Sequence, residues 1–202
     1  MMNPHGDLNL KIVNRISEAL LYSAVDILGQ QVIEEKLKAD MTLSAMFSVP
    51  VFSMADLLEL LTLLLHDYNP VAAQGFSQRI GKVFFHYLRR NRSDEIMNNS
   101  LEYRLLPFHQ RVEKALELFF QWLKREMNLN YSISKQNTGW QIQLEPPVVK
   151  QDHALFAFFF KGILLENFDW MDCHYRYTVD FSGSTKEDHQ LVCFNVSYLP
   201  LE

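Results

Sequence analysis

The stretch HALFAFFFKGILLENFDW, from His153 to Trp170, constrains this chain more than any other part of it. Phe156, Phe158, Phe159, Phe160, Ile163, Leu164 and Phe168 cover most of the circumference of a helical wheel. A helix that is apolar nearly all round must be buried on more than one side. A membrane would bury it, but Lys161, Glu166, Asn167 and Asp169 interrupt the run, and a span needs about 20 consecutive, mostly apolar residues. LLELLTLLL, Leu57 to Leu65, is shorter still. The Phe-rich helix is therefore expected at the centre of a fold, with a sheet on one side and either the N-terminal helices or a second subunit on the other.

Periodicity supplies those neighbours. Leu10, Val13, Ile16, Leu20, Leu21, Val25 and Leu28 recur at helical spacing, and Gly29 marks a break. MTLSAMFSVPVFS reads as a connector because Pro50 cannot sit inside a helix. Ser53 with Asp56 three residues on has the form of a capping box, which opens a helix running to about His66. Asn69 and Pro70 stand in the order expected of an N-cap and a first helical residue. The apolar face that follows is Val71, Phe76, Ile80, Val83, Phe84 and Tyr87. Gly75 and Gly81 each cost this helix about 1 kcal/mol relative to Ala; close helix packing or room for a ligand would explain them. YLRRNR, Tyr87 to Arg92, is expected to close the helix, its cations facing the C-terminal dipole, with NRSDEIMNNSLEYR as a polar hinge. Pro107 begins a further helix with the stripe Val112, Leu116, Phe119, Phe120 and Leu123, ending near Met127.

The period then changes to two. YSISK and WQIQLE, joined by QNTG, predict a β-hairpin. EPPVVKQD is a stiff connector ending at Asp152, a suitable N-cap for the Phe-rich helix. HYRYTVDF and QLVCFNVSY predict two more strands, separated by the polar turn SGSTKEDH. The expectation is a single α+β domain over 1–202: 1–128 is mainly helical, and 129–202 runs β-β-α-β-β with a four-stranded antiparallel sheet.

A net charge of −5 over 202 residues argues against nucleic acid as the main partner, because phosphate neutralisation needs a basic surface. Two cysteines do not make a disulfide scaffold. The opening MMNPHGDLNLKIVNR lacks the basic start and small-residue cleavage site of a secretory signal, so a cytoplasmic location is expected.

FAFFFKGIL, Phe156 to Leu164, with its internal Gly, resembles the aromatic helix of the 4-vinyl reductase-like domain. YRYTVDF and LVCFNV resemble that family's final hairpin, with Cys193, Phe194 and Val196 at its Cys-aromatic-apolar positions. GFSQRIGKVFFHYL looks like its upstream helix. The likeness spans about residues 16–198 in element order. It implies a small-molecule-binding module in the broad fold shared with haem nitric-oxide-binding domains and TRAPP trafficking subunits. Family habit also implies a homodimer. Many members carry another Cys about eight positions before the one matched by Cys193, sometimes for zinc; Ser184 and Thr185 stand near that place here.

Chemistry was sought in three constellations. Cys173, His174, His189 and Cys193 lie on or near the last hairpin and include zinc-ligand types, but adjacent strand residues point to opposite faces, and a free Cys packs as a small hydrophobe. His66, His86 and His109 fall on predicted helices and are candidate haem ligands, although the Tyr-x-Ser-x-Arg motif of haem nitric-oxide-binding domains is not completed by YSISK. No Gly-x-Ser-x-Gly, paired-His metalloprotease motif or phosphate loop occurs, and His109 with Glu113 is explained by ordinary helix-surface bonding. No catalytic residue, metal or cofactor is therefore assigned.

The expected function is binding of a hydrophobic or aromatic small molecule, as a sensor or carrier signalling to a separate protein. Candidate lining residues are Tyr68, Phe76, Ile80, Phe84, Phe119, Trp122, Phe159, Lys161, Ile163, Tyr177 and Cys193. Lys161 could meet a ligand carboxylate or snorkel to water. The alternatives are an assembly module like the TRAPP subunits and a haem-based gas sensor.

Overall fold

The computed structural model describes residues 4–33, 53–96, 105–146, 153–171, 175–186 and 189–200. Helix α1 covers Pro4–Leu28, α2 Met54–Asp67, α3 Pro70–Ile96 and α4 Phe108–Met127. Strands β1 (Tyr131–Gln136) and β2 (Gly139–Leu144) follow, then α5 (His153–Met171), β3 (Tyr175–Lys186) and β4 (His189–Pro200). The strands form one antiparallel sheet in the order β1-β2-β4-β3, and the architecture is the expected α+β arrangement of helices on a four-stranded sheet.

Helix starts follow local chemistry. At α2 the Ser53 backbone N–H and hydroxyl donate to Asp56 Oδ2 at 2.7 and 2.6 Å, while the Asp56 N–H donates to Ser53 Oγ at 3.2 Å. That is a reciprocal capping box with Asp in place of the usual Glu. At α3 the Ala72 N–H donates to Asn69 Oδ1 at 2.8 Å. Helix α1 stops at Gly29, whose φ of +84° is left-handed, and the Gly29 N–H bonds the Val25 carbonyl at 2.9 Å. Helix α4 ends the same way on Asn128 at φ 52°.

Two boundaries and one buried face differ from the sequence reading. Helix α3 does not close at YLRRNR but continues to Ile96, with no basic residue in its last turn. The dipole therefore does not explain Arg89 and Arg90, which lie on the helix body. Val71, expected on the α3 core face, is 77% exposed; buried Ala73, Ser77, Phe85 and Leu88 belong there instead. The last two strands run through most of the expected polar turn, pairing down to Lys186 with His189; antiparallel ladder bonds there outweigh the turn preference of Ser and Gly. The connector before Ser53 lies mostly, and the proposed Asp152 cap wholly, outside the described residues.

The crossing of α3 with α5 organises the interior. A Cβ on Gly81 would collide with the Phe159 carbonyl oxygen, and one on Gly162 with the Gln78 carbonyl oxygen. The two backbones therefore touch directly, and each glycine turns a Cα hydrogen toward the other helix's carbonyl, a weak bond recurrent at helix interfaces. The buried Ser77 hydroxyl donates to the Leu155 carbonyl at 2.6 Å. At the other end of the crossing Glu166 meets His86 at 2.7 Å and Lys82 at 3.8 Å. Contacts rise together in both helices, so α3 and α5 run in the same direction.

The opposite side of α5 lies on the sheet. Phe168 stacks on Tyr177 (4.8 Å) and Trp140 (5.8 Å), and Phe158 meets Phe181 edge-on at 5.0 Å. Tyr131, Ile133, Trp140, Ile142, Leu144, Tyr177, Val179, Val192, Phe194 and Val196 share this inner face by register. The outer face carries polar ladders: Thr178 with Ser197 at 2.6 Å, Ser132 with Gln143 at 3.3 Å and Gln141 with Asn195 at 3.4 Å. Both sides of the Phe-rich helix are thus filled within one chain.

The crossing sets opposite expectations for glycines in one helix. Gly81→Ala and Gly162→Ala should each cost about 3 kcal/mol or prevent folding, since the added carbon meets backbone that cannot step aside. Gly75→Ala, where a Cβ meets nothing within 4 Å, should stabilise by about 1 kcal/mol. Urea unfolding of the three variants checks both signs.

Candidate functional site

The residues expected to line a pocket separate into four places. Ile80, Phe84, Phe119, Trp122, Phe159, Ile163 and Tyr177 are buried in the interior. They pack on one another or on core neighbours, with Phe84 and Phe159 rings at 5.5 Å and Phe119 and Phe120 at 5.6 Å. Phe76 is half-buried, and Tyr68, 45% exposed, meets it edge-on at 5.4 Å at the start of α3. Lys161 is half-buried on the flank of α5 that also carries Phe158 and Leu165.

Cys193 is not part of the space between helices and sheet. It stands opposite Gln143 and Ser182 in register, which places it on the outer face, although it is buried there. Cys173 and His174 lie outside the described residues. Among the described residues no group of three His, Cys, Asp or Glu side chains could hold a metal ion.

The sequence reading missed Asn167. It is fully buried on α5, and neither its carbonyl oxygen nor its amide nitrogen has a hydrogen-bond partner. Spacing puts it on the same helix side as Phe156, Phe160 and Ile163, between the flank that crosses α3 and the flank that lies on the sheet. Among the described residues, the buried Ser and Asp side chains are satisfied. Ser23 donates to the Ala19 carbonyl at 2.5 Å, Ser77 to Leu155, Asp56 closes its capping box, and Ser17 is also partnered. Asn91 of α3, on the surface, bonds the Tyr87 carbonyl one turn back at 2.9 Å, a solution Asn167 does not take. The indole nitrogens of Trp122 and Trp140 are likewise buried without a partner. An unpaired buried polar group costs about 1–3 kcal/mol. The signal was present in the sequence as an amide on the same helix side as Phe156, Phe160 and Ile163.

A separate cavity of about 250 Å³ opens at the hairpin end of the sheet between Lys135, Gln136, Asn137, Gly139, Trp140 and Tyr198. It contains none of the expected lining residues and is smaller than most small-molecule pockets.

Electrostatics concentrate at the rims. His86 is turned outward, 49% exposed, and held by Glu166. Tyr131, beside Phe120 at 5.2 Å, has its phenol pushed above the ordinary 10.0, first by burial and then by the nearby Glu117 carboxylate.

No protein-family model matches the chain, and a search of curated proteins finds no match. Among solved structures, a doubly phenylalanine-substituted Tt H-NOX is similar over 94% of this chain and 96% of that one, with a TM-score of 0.58 and 9% sequence identity. The chain shares the broad H-NOX fold. At that identity the likeness concerns fold alone. Among the described residues no helix is long and apolar enough to cross a membrane.

The raised Tyr131 value carries a pH expectation. The folded state favours the neutral phenol, so this contribution is present below pH 10 and is lost as pH rises through the higher folded value. Above pH 10 the wild type should lose stability relative to Tyr131→Phe, and Glu117→Gln, by bringing the folded value back toward the unfolded one, should make that loss smaller. Urea midpoints between pH 8 and 11 check it.

Proposed function

We propose that this chain binds a small, largely apolar molecule carrying one hydrogen-bonding group, as a sensor or carrier of the 4-vinyl reductase-like type. The observation that carries the reading is the unpartnered carboxamide of Asn167. A buried amide offers a donor pair and an acceptor side by side, so a ligand with a carboxyl, amide or lactam-like edge would satisfy both, while Phe156, Phe160 and Ile163 enclose its apolar part. Binding would shift the packing of α3 against α5 by favouring the arrangement that admits the ligand, and a separate protein would read the change. The reading is of binding without chemical turnover.

The haem-sensor alternative has one candidate axial ligand whose side chain is described. His86, one of three candidate axial ligands, faces out and is bonded to Glu166; the side chains of His66 and His109 lie outside what is described. Ile80, Phe84, Phe119 and Phe159 are packed in the interior.

A second reading is an assembly module resembling TRAPP subunits. It is favoured by the tight packing of Phe84, Phe159, Phe119 and Phe120 where a pocket was expected.

Native mass spectrometry of the full chain, followed by solvent extraction, separates the two. The ligand reading expects added small-molecule mass in stoichiometric amount, lost in Asn167→Leu while that variant keeps its fold and is as stable as, or more stable than, the extracted wild type. A bare chain mass, together with a large loss of stability in Asn167→Leu, would instead give Asn167 a structural bond and favour assembly.

A further inference from the structure

We infer that two copies of this chain pair through strand β3, edge to edge about a two-fold axis at Thr178, to make one continuous eight-stranded sheet. The sheet order leaves β3 at an edge, and its 12 residues offer a long row of backbone groups to a further strand. The opposite edge, β1, has 6 residues and carries Lys135 on its inner face, opposite Trp140 in register; an inward charge is one way proteins blunt an edge. Among its described side chains strand β3 has no inward charge. Over its described side chains the inner face is Tyr175, Tyr177, Val179 and Phe181, and the charged Arg176 and Asp180 lie on the exposed outer face.

Those charges select the partner and the register. Arg176 and Asp180 are four residues apart, about 13 Å along a strand, so they do not meet within one chain. In an antiparallel pair centred on Thr178, Arg176 faces Asp180 of the second copy, and the match occurs twice. Centring the pair on Asp180 or on Arg176 instead would set like charges against each other. The same axis sets Tyr175 opposite Phe181 twice on the inner face. Phe181 is half-buried, as are Phe158, Lys161 and Leu165 on the α5 flank above this edge, so apolar surface remains beside the strand for a second copy to cover. The interface is self-complementary, as a two-fold axis requires. Since α5 is already covered by α3 and the sheet, this edge and not the Phe-rich helix carries the dimer.

Light scattering on the full chain across a concentration series should give twice the 23.7 kDa of one copy. Asp180→Arg should shift the population toward monomer by at least tenfold in dissociation constant, and the double swap Arg176→Asp/Asp180→Arg should restore the dimer. Thr178→Cys should crosslink to itself under mild oxidation, because directly paired strand residues lie within disulfide reach. Ser182→Cys, on the same face but off the axis, should stay at the background of the native thiols. A monomeric wild type, a dimer indifferent to Asp180→Arg, or equal crosslinking at 178 and 182 would overturn the assignment.

Discussion

Direct backbone contact between α3 and α5 is the constraint on which the rest of the structure depends. Gly81 lies on the Phe159 carbonyl and Gly162 on that of Gln78, so neither helix can move outward without losing this contact or inward without collision. At so short a separation the side chains beside the contact must spread. Phe84, Phe159 and Ile163 fill one side, and Phe168 is left facing the sheet, where it stacks between Tyr177 and Trp140. The aromatic content of α5 follows from this position. A helix held against another backbone on one flank and a pleated sheet on the other has little room for solvent, and Phe supplies large buried area per residue.

Within that arrangement polar groups are placed with economy. Ser77 crosses the helix pair to a carbonyl, and Glu166 closes its far end with His86 and Lys82. Asn167, next along α5, has no comparable bond. Interiors of this density rarely hold such a group unpaired, which is why the proposed function rests on this residue.

Much of the architecture was legible because local signals and hydrophobic period agreed. Ser53 with Asp56, Asn69 with Pro70, and Gly29 each did what their side chains or backbone freedom dictate. The alternating strands gave the sheet, and the all-round apolar wheel gave the central helix. What failed was decided by tertiary packing. The period of α3 did not distinguish Val71 from Ala73, because burial there depends on which side meets α5. Arg89 and Arg90 looked terminal because a basic cluster before a polar run imitates a helix end. Gly81 was noticed, but its partner Gly162 was read only as part of a family-like motif, since a backbone contact between residues 81 positions apart leaves no local trace. The expected lining residues followed aromatic spacing, which marks core and cavity alike and gives no weight to a single amide such as Asn167.

The central claim is that the Asn167 carboxamide meets something other than protein. The most direct measurement is a crystal structure of the chain purified without solvent extraction, at a resolution that orders internal water. The account predicts continuous density for a small molecule within hydrogen-bond distance of both Asn167 Oδ1 and Nδ2, enclosed by Phe156, Phe160 and Ile163. Apolar side chains closed around the amide, or a protein group bonded to both of its atoms, would contradict it.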